Sequence, residues 1–495
     1  MKREWIGATC LAAAVLILRL VVAFSTNGFA ADESYFHLRQ AEHIQQHGIP
    51  LFDDPLSYGG STTLFAPAFD YLVAALGFVV GVPIAAKLIT NALAASLVLL
   101  VFAIALQMTR DRRAALIAAF AAGFIPVLWQ SATTSAPHLF GVAMGFLMLL
   151  AFLKIDDPRW RVVFLSALVI GTVTRPGFLL FILGLALYLA LATMANVRRP
   201  RGESELVFFA LLFSLWVTII FYKRLLVEHG IGILWQNTPA SVLAQYFAQI
   251  SVLDAVVAVG VLPFIAGMFV MYRHLFTEQQ RNVYIVMGLA LATGVLVWLR
   301  LIKPILGLQV LGVALVILFS FALAELFRYV QKTKFARKMH WIVGGAALIV
   351  AISAVPSFFS AQEAVDDALA REEIAALQWL RTNTPEPAVV LAPLEQGHAI
   401  AHIAHRGSIA DTSFILKEDA VVRVNDISRA FSSPFNTVVV GVMEKYDADY
   451  ILWTDAARML SHRDLPAFAA DKDCFPLVFE HDSAAVYELR CERKT

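Results

Sequence analysis

Ala31-Asp32-Glu33-Ser34-Tyr35-Phe36-His37-Leu38-Arg39 follows directly on the first long apolar run of the chain, at about residues 5–26. That run is long and lacks a convincing small-residue cleavage site, so it reads as a signal anchor and not as a removable leader. Two adjacent carboxylates, with a histidine and an arginine close behind, therefore stand where a helix leaves hydrocarbon. Acids at a membrane interface suit two tasks, binding a divalent cation or accepting a proton from an incoming nucleophile. The alternative is a solvated cap, because an acid at a helix start satisfies orphan N–H groups. On residue chemistry alone the two readings of Asp32 and Glu33 are evenly matched.

The rest of the chain supports the membrane setting. Of 495 residues, 59% are hydrophobic and 16% charged, against about 25% charged in soluble proteins. Mean hydropathy is +0.70. These values exclude disordered, small secreted and ordinary cytosolic classes, and a formal charge of +1 leaves no field for nucleic acid. The near-neutral total hides a split near Pro356. From Phe358 to Thr495 there are 22 acidic and 13 basic residues, while the preceding 357 carry 16 and 26. The expected fold is a polytopic α-helical membrane domain, residues 1–357, followed by a soluble α/β domain, residues 358–495.

Apolar runs lie at about 5–26, 64–82, 85–107, 113–130, 137–154, 160–174, 176–195, 205–222, 254–272, 282–299, 302–325 and 340–357. If the run at 64–82 does not cross and the N-terminus is cytoplasmic, the cytoplasmic loops hold 16 Lys and Arg. Five face outward beyond residue 107: Arg175, Lys223, Arg224, Arg300 and Lys303. Letting 64–82 cross inverts this balance, so the positive-inside rule favours eleven crossings plus one re-entrant or interfacial segment. The outer face then receives loops 28–83 and 222–253 and the acidic tail, in a plasma (inner) membrane. The tail patterns as a helix near 371–381, a strand at 388–392, helices around 419–431 and 437–447, a strand at 450–453 and a terminal hairpin. That hairpin would bring Cys474 and Cys491 together in an oxidising compartment, with two free thiols as the alternative. Cys10 reads as a packing residue.

Asp32-Glu33-Ser34-Tyr35-Phe36-His37-Leu38-Arg39, then Gly48-Ile49-Pro50 and Asp54-Pro55-Leu56-Ser57-Tyr58-Gly59, resemble the first outer loop of GT-C membrane glycosyltransferases. Tyr-Phe-His-Leu-Arg is similar to the catalytic subunit of oligosaccharyltransferases, and the Asp-Glu pair resembles that of protein O-mannosyltransferases. The resemblance implies a catalytic role for Asp32, with Glu33 beside it, and a divalent metal, Mg or Mn, bound at Asp32. Trp298-Leu299-Arg300-Leu301-Ile302 is similar to the segment whose arginine contacts the lipid pyrophosphate. An Arg fork suits phosphate oxygens, while an arginine ending a span can also simply snorkel. Leu234-Trp235-Gln236-Asn237-Thr238-Pro239 occupies the place of the mobile loop over the acceptor. Pro393-Leu394-Glu395-Gln396-Gly397-His398 sits where the W-W-D-Y-G signature begins the soluble domain.

The chain also departs from that pattern. Ser131-Ala132-Thr133-Thr134-Ser135-Ala136-Pro137-His138 replaces a second acidic motif and contains no carboxylate. Gln236 and Asn237 stand where the family has a Glu, and of W-W-D-Y-G only Gly397 survives in kind, with Glu395 in place of the Asp. A tight metal site needs several oxygen ligands, so these departures argue against one, and against an Asn-x-Ser/Thr acceptor. His138 either stands in for the missing acid or is structural. Arg19, within the first span, lines a lipid-phosphate cleft or packs beside an acid. Arg175 is a further phosphate contact or an interface anchor.

The resulting expectation is an inverting transferase, oligosaccharyltransferase-like. It moves a glycan from a polyprenyl-phosphate or pyrophosphate donor, entering from membrane lipids, to a protein or glycolipid acceptor on the outer face. His37, Arg39, Trp235, Gln236, Asn237, His138, Glu395 and His398 are the candidate acceptor and loop contacts. The alternatives are a single-sugar transferase using a polyprenyl monophosphate, a non-catalytic glycolipid-binding homologue, and a transporter. Against the last, no pair of repeated halves is visible.

Overall fold

The computed structural model describes residues 2–230, 237–248 and 250–491. The chain enters as α1, Lys2–Ala23, and turns into α2, Asp32–His47. Asp32 and Glu33 occupy the first turn of α2, where the helix dipole favours anions. Gly48, at φ 79°, closes the helix by donating its N–H to the Ile44 carbonyl. A short pair, β1 (Asp53–Asp54) and β2 (Ser61–Thr62), leads to α3, Ala68–Val80. Its 13 residues reach about 20 Å at the helical rise, short of a hydrocarbon layer of about 30 Å.

The helical body then runs α4 (Val82–Thr109), α5 (Arg112–Gly123), α6 (Pro126–Trp129), α7 (Pro137–Leu153), α8 (Pro158–Thr174) and α9 (Leu179–Met194). It continues with α10 (Glu203–His229), α11 (Ala240–Ala248), α12 (Val252–Val259), α13 (Val261–Phe276), α14 (Arg281–Trp298), α15 (Pro304–Gln331), α16 (Met339–Ser353) and α17 (Val355–Asp366). Proline opens α7, α8 and α15, where its missing N–H would have no partner anyway. Among the described residues six helical segments are long and apolar enough to cross a membrane, or seven if the bent pair α11–α12 counts as one. α7, α9 and α13 are apolar but only 16 or 17 residues long, because turns and prolines interrupt the runs. Cys10 faces outward from the bundle and is not a packing residue.

The tail begins with α18, Arg371–Asn383, and β3, Val389–Leu391. α19, Gly397–Ala399, runs on as a π-helical stretch, Ile400–Ala404, into β4, Gly407–Ser408. Helices α20 (Ala420–Ser432) and α21 (Asn436–Lys445) precede β5, Tyr450–Trp453. α22, Asp455–Ser461, then leads to the hairpin β6 (Leu477–His481) and β7 (Ala484–Glu488). The sheet order is β4-β3-β5-β7-β6, parallel across β4, β3 and β5 and antiparallel beyond. Cys474 and Cys491 are joined as a disulfide across 17 residues.

Strand periodicity divides this sheet between two cores. Ile451, Trp453, Ala485 and Tyr487 face α20, α21 and α22, within the tail. Tyr450, Leu452, Ala484 and Val486 face Leu377 and Leu380 of α18, together with Tyr35, Leu38 and Ala41 of α2 and Phe69 and Val73 of α3. The first outer loop and the tail therefore share one hydrophobic core. Polar bonds fasten the same junction: Ser408 N–H donates to the Leu56 carbonyl, Ser57 Oγ donates to Asp411 at 2.5 Å, and Tyr58 Oη to the Asp411 carbonyl.

Candidate active site

The junction places Asp32. Its two carboxylate oxygens accept the backbone N–H groups of His398 (3.1 Å) and Ala399 (2.9 Å), at the start of α19. Gly397 makes the approach possible, since a Cβ there would collide with the Ala410 carbonyl and with Asp411. Burial pushes the Asp32 carboxyl up to about 6, against the pull of His398 and the two N–H bonds. Glu33 has the opposite fate. Lys303 Nζ (3.8 Å), His37 Nε2 (3.9 Å) and Arg175 Nη2 (3.7 Å) surround it and hold it well below the usual carboxylate range. The two adjacent acids thus have proton affinities driven apart, Asp32 upward and Glu33 downward.

His37 bonds Asp70 through Nδ1 at 2.7 Å. Burial works against its charge, but the Asp70 and Glu33 carboxylates outweigh that and raise it to about 9. Arg300 lies at the end of α14 with φ 59°. Arg300 N–H bonds the Val297 carbonyl and Leu301 N–H the Leu296 carbonyl, the two bonds of a Schellman turn. The turn carries Arg300 over the Phe247 ring at 5.4 Å and hands the chain to Lys303, the N-cap of α15. Tyr246, one residue before Phe247 on α11, lies within electrostatic reach of Glu33, Glu395 and Asp32.

Several sequence candidates take other positions. Arg19 is buried, with its guanidinium engaged by neutral polar groups and not by an acid. It donates to Asn91 Oδ1 (2.9 Å), the Leu128 carbonyl (2.9 Å) and Ser131 Oγ (3.3 Å), and stacks on Trp129, fastening α1 to α4 and α6. Arg39 pairs with Asp54 at 2.6 Å and braces the outer loop. Asn237 donates to the Phe414 and Lys417 carbonyls, tying its loop to the tail. His398 packs near Ser413 and Asp411, with Nε2 at 3.3 and 3.6 Å, while Glu395 is exposed. His138 lies within reach of the charges on Arg175, Glu33, Lys303 and His37. Trp235 and Gln236 fall outside the described residues. The loop that lacks the acidic motif is a brace: Ser135 N–H bonds Ser34 Oγ, Thr133 Oγ1 bonds the Ala364 carbonyl and Ala30 N–H the Thr133 carbonyl.

Sequence reading missed Lys303 and Asp70 as site residues. Lys303 could have been found from its spacing, three residues after Arg300 and just before a helix-opening proline. Asp70 carried the weaker sign of an acid in an apolar segment.

A helical bundle capped by a C-terminal domain built on a sheet, packed against the loop after the first helix, is the GT-C fold. The chain is similar to the crystal structure of the apo oligosaccharyltransferase of Archaeoglobus fulgidus, with a TM-score of 0.69 and 16% identity over 98% of this chain and 74% of that one. ArnT of Cupriavidus metallidurans bound to undecaprenyl phosphate superposes with a TM-score of 0.59 at 14% identity, covering 98% and 97%. In sequence, the dolichyl-phosphooligosaccharide-protein glycotransferase 2 of A. fulgidus is 32% identical over 163 residues, 32% of this chain. Those residues span 24% of that relative's length. No protein-family model matches the chain. Other structures of the archaeal enzyme hold an inhibitory peptide with a dolichol-phosphate, or zinc and sulfate.

Among the described residues, two groups of His and carboxylates lie close enough together to hold an ion: His274, Glu278 and Glu325, and Glu372, His481 and Asp482. Neither contains Asp32. Among the described residues, no such group that includes Asp32 assembles the several oxygen ligands that Mg or Mn requires.

Proposed function

We propose that this integral membrane protein transfers a glycan from a polyprenyl-phosphate or pyrophosphate donor to an acceptor on the outer face, with inversion at the anomeric carbon. The observation that carries this reading is the pairing of Asp32, poised to take a proton, with the cations Arg175 and Lys303 at the neighbouring Glu33, and with Arg300 three residues before Lys303. The donor enters sideways from the bilayer and its phosphate lies against those cations. The acceptor arrives from water, beneath the loop that bears Asn237 and Tyr246. Asp32, oriented by the His398 and Ala399 N–H groups, takes the acceptor proton as its oxygen or nitrogen attacks the anomeric carbon in line. The phosphate leaves with its negative charge stabilised by the cations, and that stabilisation with positioning supplies much of the rate. No step runs through a metal, because the described residues at Asp32 do not supply the donor set for one.

The same reading puts the N-terminus in the cytoplasm and the tail outside, following the basic cytoplasmic loops. A second reading, transfer of a single sugar from a lipid monophosphate, is favoured by the carboxylate-free segment at 131–138. The test is transfer by purified protein in lipid nanodiscs, with polyprenyl monophosphate and pyrophosphate sugars offered separately and products read by mass spectrometry. Transfer that is abolished by Asp32→Asn supports the proposal. Undiminished transfer by that variant removes Asp32 from the mechanism.

A further inference from the structure

Glu33 is the charged residue that the transfer chemistry does not use. Its carboxylate sits among Arg175, Lys303 and His37 at 3.7, 3.8 and 3.9 Å. All three distances exceed the 2.7–3.2 Å of a well-formed N–H···O bond, so the socket is wider than the group inside it. Two donors around it remain unsatisfied: Arg175 Nη1 and His37 Nε2 are buried and have no hydrogen-bond partner, and the buried His138 Nε2 is unpartnered too. A carboxylate offers two oxygens, and these donors can take more. A polyprenyl phosphate monoester offers three free oxygens around a tetrahedral centre and a pyrophosphate-linked donor offers four, each with at least as much charge.

We infer that Glu33 is a resident counter-anion, holding a cationic socket that the phosphate of a polyprenyl donor occupies by displacing it. This rests on the donor reading above and adds a competition to it. With the lipid absent, Glu33 neutralises Arg175 and Lys303 and keeps the socket intact. When the phosphate arrives, the three long ion pairs are exchanged for shorter bonds to phosphate, and the Glu33 carboxylate turns outward. Donor affinity is thereby set below what the cations alone would give, which favours release of the spent polyprenyl phosphate. A purely structural Glu33 predicts the reverse, since removing a stabilising ion pair would loosen the site and weaken binding.

The experiment measures binding of a short-chain polyprenyl monophosphate to the purified full chain in detergent, with inorganic phosphate and pyrophosphate in parallel. Three weak pairs disappear in Glu33→Gln, so its lipid affinity should rise by about tenfold. Arg175→Ala and Lys303→Ala should each lower affinity. Glu33→Asp, which keeps the charge but withdraws it by one methylene, should tighten binding by a smaller factor and serves if the Gln variant does not fold. Unchanged or weaker binding by Glu33→Gln, with wild type binding and the two cation variants failing, overturns the counter-anion role and leaves the donor reading standing. No lipid binding by wild type overturns the donor reading itself. Tightening toward inorganic phosphate but not toward the lipid overturns the lipid as the socket's ligand.

Discussion

Asp32 and Glu33 are neighbours in sequence with the same functional group, and their surroundings make them different reagents. Asp32 meets two backbone N–H groups in a buried corner and its proton affinity rises, while Glu33 meets cations and its affinity falls. A base must be ionised to work, so kcat/KM should rise about tenfold per pH unit below pH 6 and level off above it. A flat profile between pH 5 and 7 would contradict that role. Asp32→Asn should lower kcat by about a hundredfold or more while leaving donor binding in place, as a missing general base does. The setting of Asp32 was legible, since it stands where a helix leaves hydrocarbon, but residue chemistry alone left it open between a base and a helix cap. The fate of Arg19 was not legible. Its partners Asn91, Leu128 and Ser131 lie 72 to 112 residues away and carry no charge that sequence spacing would flag. Arg19→Ala should lower stability by about 2–3 kcal/mol through unsatisfied buried groups, read by thermal unfolding in detergent, without changing lipid-phosphate affinity.

Among the elements, the turn between α14 and α15 allows structure and function to be separated. Arg300 occupies a left-handed position that glycine adopts freely. Arg300→Gly should therefore keep or slightly raise the melting temperature, while donor affinity falls about tenfold or more with the lost charge-assisted bonds. Joint loss of folding and binding would mean that the side chain, not the turn, holds α14 and α15 together. Gly397 tests the other wall of the site. Gly397→Ala forces α19 away from Asp411, should cost about 1–3 kcal/mol, and should reduce turnover by misplacing the two N–H groups at Asp32. The tail helices and the β5 and β7 strands were readable because amphipathic and alternating patterns are local. The bonds from Leu56, Ser57 and Tyr58 to Ser408 and Asp411 were not, since a polar loop segment gives no sign of its distant partner.

In the whole molecule, the outer loop and the tail form one folded body across a core that neither could close alone. Leu452 is fully buried there, between α18 and the outer-loop helices. Leu452→Ala should cost about 2–5 kcal/mol, and hydrogen exchange should speed up in α2 as well as in the tail sheet. Protection of α2 unchanged in that variant would show that the two regions fold independently.

The same interlock sets an order of assembly. Asp32 and the N–H groups that hold it are 366 residues apart, and synthesis proceeds at roughly 5–20 residues per second. Once translated, α2 thus waits tens of seconds for its partners, with Tyr35 and Leu38 still uncovered. During that interval the nascent chain has no working centre. On the proposed reading, reactivity becomes possible only after α19 has closed over the first loop, so a protein interrupted in translation before α19 should be inert.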